Sequence, residues 1–456
     1  MAAEEGGSLG RLIKCDEKGR SMHGKRKTGN PVSGTILTCL GLLLAISPML
    51  VQENALARYQ EFRRAAVEAQ GKGEYRAALD HYRKLLEMVP QKPDIHYRVA
   101  VVLAILGDSQ GALGHLKKAI SLGFPIEELD PVFDSLKEEP GYPEVAAMIE
   151  ATKKPVGKSR AAFTIPERDL LPEGIAYDPG EGCFYLGSLW KNKIVRVGRD
   201  GKGKDFTAEG QDGLRSVAGL KVDPKHRILW ALSFVSSPWA KNAEEEAGWS
   251  AVFKYDLGTG RLIKKYEFTD KRTSHLLNDL AVTRSGDVFV TDSIRNEVYS
   301  IFHDGDSLKS FFRSDEFMYT NGITLGADDR SLYVSSPGNG VYRIDIPSKE
   351  CRLVSHPETM TLSGIDGLYF YDHSLIGVQP SLNRVARYFL NQKGDAVEGL
   401  EIIDARNPLF DFPTTGTISG STFYYIANSQ AYSFNPDGSL YPPEKLKEVV
   451  ILRADL

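Results

Sequence analysis

The 456-residue chain is short of cysteine, of histidine and of net charge, and each shortage removes a class of protein. Four cysteines without a Cys-x-x-Cys pair exclude a zinc ribbon and argue against a disulfide framework. Nine histidines include no His-Glu-x-x-His pattern, so that metalloprotease arrangement is missing. The 56 basic residues nearly cancel the 60 acidic ones, and a balance of −4 gives no electrostatic reason to expect a nucleic-acid partner. No phosphate loop occurs, and neither a Gly-x-Ser-x-Gly elbow nor a dinucleotide-binding glycine motif appears in a strand-to-helix setting. Asp304-Gly-Asp306 begins like a calcium loop but continues with Leu308 and Lys309 where an oxygen ligand and a glycine are required, so it reads as a hairpin turn.

Long apolar runs are scarce as well. The conspicuous one, Thr35 to Leu50, follows the basic stretch His23-Gly24-Lys25-Arg26-Lys27 and precedes Ala55-Leu56-Ala57. Basic, apolar and small-residue segments in that order describe an export signal cleaved after Ala57. The run is shorter than the roughly 20 residues a bilayer span requires. The expectation is therefore an exported protein, periplasmic or secreted, with residues 1–57 as signal peptide and no membrane contact after cleavage. An uncleaved N-terminal anchor, with Met22 as a possible start, is the alternative. Of the cysteines beyond the cleavage point, Cys183 and Cys351 read as buried thiols.

With 42% hydrophobic and 25% charged residues, the remainder is globular and long enough for more than one core. Residues 58–152 carry a 34-residue period, in which Gly73-Glu74-Tyr75 returns as Gly107-Asp108-Ser109, Ala78 as Ala112, Tyr82 as Leu116 and Leu85 as Ala119. This resembles the tetratricopeptide repeat, whose small residues let paired helices pack closely. Arg58 to Gln70 and Pro143 to Thr152 are predicted as flanking helices. Such a unit implies either a groove for a protein or peptide partner or a plain helical spacer. Residues 153–160, basic and holding Pro155 and Gly157, are predicted as a linker.

Residues 161–456 repeat a different phrase six times. It begins at Glu173-Gly174-Ile175, Ala218-Gly219-Leu220, Asn278-Asp279-Leu280, Asn321-Gly322-Ile323, Asp366-Gly367-Leu368 and Thr415-Gly416-Thr417, at intervals of 45, 60, 43, 45 and 49 residues. Each phrase alternates apolar and polar residues, crosses a turn and enters a β-rich run such as Asp287-Val288-Phe289-Val290-Thr291. Four strands repeated six times define a six-bladed β-propeller. The predicted fold is mainly β, with a small all-α domain in front.

Equivalent positions in a propeller surround one axis, so the first residues of the six phrases should meet at one end of the channel. Glu173, Asn278, Asn321 and Asp366 supply two carboxylates and two amides there, a donor set suited to a hard divalent cation such as calcium. Two carboxylates crowded without counter-charge would repel or bind a proton, which a cation would prevent. Turn formation by Asn-Gly and Asp-Gly is the competing explanation.

The stretches Pro172-Glu173-Gly174, Leu277-Asn278-Asp279, Thr320-Asn321-Gly322 and Ile365-Asp366-Gly367 together resemble the regucalcin and gluconolactonase family of six-bladed propellers, to which the paraoxonases are related. The resemblance spans about residues 160–440. It implies one divalent metal ion, calcium favoured, held by Glu173, Asn321 and Asp366, with Asn278 facing the same ion as ligand or substrate contact. It implies a metal-dependent hydrolase of a lactone or related ester. Two positions depart from the pattern: Leu276 stands where sugar-acid lactonases place an arginine, and Ala218 where paraoxonases place a histidine.

Physically, the ion would polarise a carbonyl and Asp366 would act as general base on the attacking water. His275 is a second basic group near the mouth. Strand direction places Trp190, Asp292, Gln379 and Arg384 in loops around the opening as substrate contacts, with the insertion Ser236 to Ser250 as a lid. The rival reading is a non-catalytic scaffold that binds a protein, peptide or small ligand around a structural ion.

Overall fold

The computed structural model describes residues 54–239, 246–268, 270 and 272–456. The export segment expected over residues 1–57 lies almost wholly outside them, as do residues 240–245 of the expected lid. No helix among the described residues is long and apolar enough to cross a membrane.

Helices α1 (Ala55–Gly71), α2 (Tyr75–Met88), α3 (Pro93–Ile105), α4 (Ser109–Ser121) and α5 (Tyr142–Thr152) pack in sequence, with a 3-10 turn at Pro131–Glu138 before the last. The 34-residue period marks helix ends. Gly73 and Gly107 take φ of 77° and 79°, a left-handed conformation that favours glycine. Beyond each, Glu74 N donates to Ala69 O and Asp108 N to Leu103 O, both at 2.9 Å, closing the same six-residue cap. Ala78 and Ala112 are fully buried, so their small side chains admit the neighbouring helix.

The remaining chain forms six sheets around an axis. The inner strands are Pro172–Asp178, Ser216–Asp223, Leu277–Val282, Ile323–Leu325, Leu368–Tyr371 and Gly416–Ser419. The first blade continues outward through Cys183–Ser188, Ile194–Val197 and Gly203–Asp205, each antiparallel to the last. In the sixth blade the outer strand comes from the beginning of the propeller: Arg160–Ile165 pairs with Val449–Asp455, joining the two ends of the ring. The stretch expected to be a linker is therefore paired in part. Val156 and Gly157 add a fifth strand to the fifth blade opposite Ala405 and Asp404, and Arg160 already belongs to the sixth.

The glycine of each phrase is explained by close approach. A Cβ on Gly174 would lie 2.0 Å from Ala218 O, and one on Gly322 would lie 2.3 Å from Asp366 O. Neither glycine has a positive φ. Turn chemistry thus does not account for them; backbone from the next inner strand occupies the space a side chain would need. Hydroxyls complete the ring, with Thr291 Oγ1 donating to Asn321 O at 2.6 Å and Ser293 Oγ to Thr320 O at 2.6 Å.

The helical unit stands on the propeller by its helix ends. Ala55 N at the start of α1 donates to Asp315 O, Lys92 Nζ before α3 to Pro337 O, and Lys118 Nζ near the end of α4 to Glu358 O, each at 2.9 Å. Glu127 pairs with Arg406. Met318, a propeller residue, is buried inside the helical core with Tyr97, Leu103 and other apolar side chains. Burial pushes the Lys92 ammonium below the usual lysine range. All five propeller segments lie at the end where inner strands begin, which is the end that carries Glu173 and Asp366.

Replacing Gly174 by Ala should destabilise the chain by about 3 kcal/mol, because backbone cannot retreat on either side. Gly114→Ala in α4, where a Cβ meets nothing within 4 Å, should be neutral or stabilising by up to about 1 kcal/mol. Urea denaturation of both variants checks this. Met318→Asp should release the helical unit, read as new protease cleavage near residues 153–160 while the propeller fragment survives.

Candidate functional site

The axis end that carries the six phrase starts holds the candidate site. Asn321 Nδ2 donates to Asp366 Oδ1 at 2.7 Å. Asn278 Nδ2 donates to Ser293 Oγ at 3.1 Å, and that hydroxyl is itself fixed on Thr320 O. Glu173 is anchored through its backbone, its carbonyl accepting from Thr414 Oγ1 and Thr415 Oγ1 of the sixth blade. Glu173 through its backbone and Asn321 through its side chain are thus tied to the neighbouring blade.

Two acceptors in this group have no partner. Glu173 Oε2 and Asn321 Oδ1 are buried without a hydrogen bond, a state that costs about 1–3 kcal/mol per group or more for a charge. Electrostatics point the same way. Burial raises the Glu173 carboxyl well above its ordinary range, with Asp366 and then Asp279 adding repulsion. Asp366 is pushed up to about 7 by burial, assisted by Asp279 and opposed by the bond from Asn321. Burial thus drives both carboxyls toward the protonated form, and a cation beside them would favour the ionised form. Two orphaned oxygens beside two strained carboxylates fit a hard cation, with Glu173, Asn321, Asp366 and Asn278 as the available oxygen donors.

Asp279 is a third member that the phrase pattern understated. It stands where the other five phrases have glycine, and it is buried with its carboxylate accepting from Leu280 N at 2.8 Å and Ile323 N at 3.3 Å. The break in the repeat was the sequence signal for it. With Lys221, Tyr369, Thr415 and Gly416, Asp279 lines a cleft too narrow to hold a water molecule.

The loop residues expected to touch substrate are engaged with the protein itself. Gln379 is fully buried: its Nε2 donates to Ser363 O at 2.6 Å and to Thr361 O at 3.4 Å, and its Oε1 accepts from Arg384 Nε and Tyr388 OH, both at 2.7 Å. Arg384 is buried beneath Gly123 of the helical unit. Asp292 Oδ1 accepts from Leu276 N, Ile294 N and Arg295 N, and its Oδ2 meets His275 Nδ1 at 2.6 Å. His275 is stacked on Phe268, with ring centroids 3.5 Å apart, so it braces the second blade against the third and lies away from the axis.

Trp190 does reach the mouth. It packs edge-on against Phe434, and Trp239 crosses from the second blade to donate to Ala431 O of the sixth at 2.7 Å. Both join an apolar cluster with Leu171, Leu189, Phe234 and Phe412, and the two departing positions, Ala218 and Leu276, are buried in it. Trp249 and Glu246, at the other end of the expected lid, bond outward to Glu267 and Arg215. Among the described residues Cys183 and Cys351 are free thiols. The cluster of Asp178, Glu181 and Cys183 lies at the opposite end of the first blade, where Arg196 and Arg227 neutralise it.

No protein-family model matches the chain, and no curated protein sequence does. Among solved structures it is similar to a gluconolactonase from Xanthomonas campestris at 15% identity, covering 63% of this chain and 88% of that one with a TM-score of 0.45. It is similar to virginiamycin B lyase from Staphylococcus aureus at 16% identity, covering 66% and 100% with a TM-score of 0.44. A luciferin-regenerating enzyme gives 13% identity, 66% and 95% coverage and a TM-score of 0.44. The six-bladed fold rests on the strand pairing described above, and the chemistry rests on the site.

Gln379→Leu should cost about 2–4 kcal/mol of stability, since it strands the Thr361 and Ser363 carbonyls and the Arg384 side chain. Any turnover by the folded fraction should keep its KM. Denaturation midpoints and steady-state kinetics on one preparation separate the two effects.

Proposed function

We propose that the chain binds one divalent cation, calcium favoured, at Glu173, Asn321, Asp366 and Asn278, and hydrolyses a lactone or related ester there as a member of the regucalcin and gluconolactonase family. The observation that carries this reading is the pair of buried, unpartnered oxygens, Glu173 Oε2 and Asn321 Oδ1, beside the Asp366 carboxylate on the axis. The bound cation supplies a Lewis acid for the substrate carbonyl and for the charge that grows on it. Asn278, held by Ser293, orients the acyl group. Asp366 takes the proton of the attacking water at the oxygen that Asn321 leaves open, the carbonyl carbon gains the hydroxyl, and the ring or ester C–O bond breaks to give a hydroxy acid or an acid and alcohol. Leu276, which stands where the sugar-acid lactonases place an arginine, is buried in an apolar wall with Ala218, which favours a substrate other than a sugar lactone.

The same reading takes the protein to be exported and the helical unit to be tetratricopeptide-like. Docking through helix ends leaves its long faces for a peptide or protein partner.

A pH-indicator lactone panel, run with calcium and with chelator on the wild type and Asp366→Ala, tests the activity. Turnover should need the cation and fall about a hundredfold or more in the variant. Calcium affinity should rise with pH through about 7, because the Asp366 carboxyl, raised by burial, holds a proton that competes with the cation below that value. Tight calcium binding without turnover across the panel would favour the scaffold reading.

A further inference from the structure

Both amides of the candidate site are tied by their nitrogen. Asn321 gives Nδ2 to Asp366 Oδ1 at 2.7 Å. Asn278 gives Nδ2 to Ser293 Oγ at 3.1 Å, and here a third group decides the direction of the bond. Ser293 Oγ lies 2.6 Å from Thr320 O, and a carbonyl oxygen can only accept. The one hydroxyl hydrogen of Ser293 is taken up there. What Ser293 has left for Asn278 is a lone pair, which only the NH2 end of the amide can meet. The Asn278 oxygen is the end left over, and it has no partner among the described residues.

Ser293 is held firmly enough to impose that choice. It is fully buried where the third blade meets the fourth. Its own N donates to Leu276 O at 2.9 Å, two residues before Asn278. Across the joint, Thr320 Oγ1 donates to Asp292 O at 2.8 Å and Thr291 Oγ1 to Asn321 O at 2.6 Å, so hydroxyls from both blades fix the register. Turning the Ser293 hydroxyl toward Asn278 would leave the buried Thr320 carbonyl without that donor.

We propose that Ser293 is a positioning residue of this site: by giving its hydrogen to Thr320 O it turns the Asn278 amide so that oxygen, and not nitrogen, is the end offered to a ligand. The use of that oxygen rests on the cation site proposed above; the orientation itself does not. An amide oxygen receives a cation or a donor hydrogen, whereas an NH2 group receives an anion or a carbonyl. With Asn321 tied in the same sense, both amides present oxygen. The pair therefore suits a divalent cation, a water or a hydroxyl group, and does not match a phosphate or a free carboxylate.

A double-mutant cycle separates positioning from support of the fold. Isothermal titration with calcium chloride on chelator-treated full-length protein reads the affinities of the wild type, Ser293→Ala, Asn278→Ala and the double variant, and circular dichroism confirms that each is folded. Ser293→Gly, which also lacks the hydroxyl, serves in place of an unfolded alanine variant. Ser293→Ala should weaken calcium about threefold or more, because a released amide spends part of its time with nitrogen toward the ligand. In the Asn278→Ala background the same change should alter affinity by less than about 1.5-fold, since no amide remains to be turned. An equal loss in both backgrounds, or a wild type that binds calcium no better than Ser293→Ala, would overturn the role of Ser293.

Nuclear magnetic resonance on protein carrying isotope-labelled asparagine gives a readout that needs no metal. The side-chain NH2 signal of Asn278, assigned by its absence from Asn278→Ala, should exchange with solvent about fivefold faster in Ser293→Ala than in the wild type, as expected for one lost hydrogen bond. If the wild type binds no calcium and exchange still quickens in the variant, the cation reading fails and the positioning of Asn278 stands. Exchange that is the same in both would overturn the positioning whatever the calcium affinity.

Discussion

Backbone meeting backbone around a single axis is the constraint on which the rest of this molecule depends. Inner strands approach so closely that the carbonyl of one phrase fills the place of the next residue's side chain, as Ala218 O does at Gly174 and Asp366 O at Gly322. At those two places only a residue without a Cβ fits. The same approach brings the preceding residue of each phrase to the axis with its side chain toward the mouth. Tight packing of the ring and the approach of Glu173, Asn321 and Asp366 to one another are consequences of one geometric fact.

Convergence creates an electrostatic problem at once. Carboxylates from separate blades arrive in a place that water does not reach freely, and the pKa directions of Glu173, Asp279 and Asp366 all record that cost. A fold selected only for stability would place apolar or paired groups there, as it does at Ala218 and Leu276. Retaining charge at the axis is therefore informative about use. The orphaned acceptors narrow that use further, because a proton could relieve Glu173 but does nothing for the carbonyl oxygen of Asn321.

The repeat made the fold legible in the sequence, since a period of about 45 residues with a fixed glycine can be recognised without knowing any contact. The site was legible to the extent that it reuses the repeat: Glu173, Asn321 and Asp366 are phrase starts. Asp279 was visible in principle as the one phrase without glycine. What escaped was whatever depends on a partner distant in sequence. Gln379 ends one strand of the fifth blade and Arg384 begins the next, and there the blade's own carbonyls and side chains engage their polar atoms while Gly123 of the helical unit lies against Arg384. Asp292 spends its oxygens on the turn that follows it and on His275, a local pattern that composition does not distinguish from an exposed carboxylate. The pairing within the linker escaped because a short basic segment with proline and glycine carries no periodicity, although Val156 finds an open strand edge at Ala405.

The placement of the helical unit changes how the mouth is reached. Its contacts at Asp315, Met318, Pro337, Glu358 and Arg406 occupy the third, fourth and fifth blades on the site-bearing face, while the apolar wall of Trp190, Trp239, Phe412 and Phe434 occupies the sixth, first and second. The rim is thus divided between two materials. One side is a folded domain fixed through Met318 and the half-buried Lys92, which can move only by breaking an apolar core contact and the bond from Lys92 to Pro337 O. The other is a set of aromatic side chains on loops, joined across the mouth by the bond from Trp239 to Ala431 O. Loop aromatics shift at far lower cost than a docked domain. The helical side of the mouth is thus the more firmly held and the aromatic side the more easily rearranged, with Leu276 and Ala218 buried in the aromatic cluster.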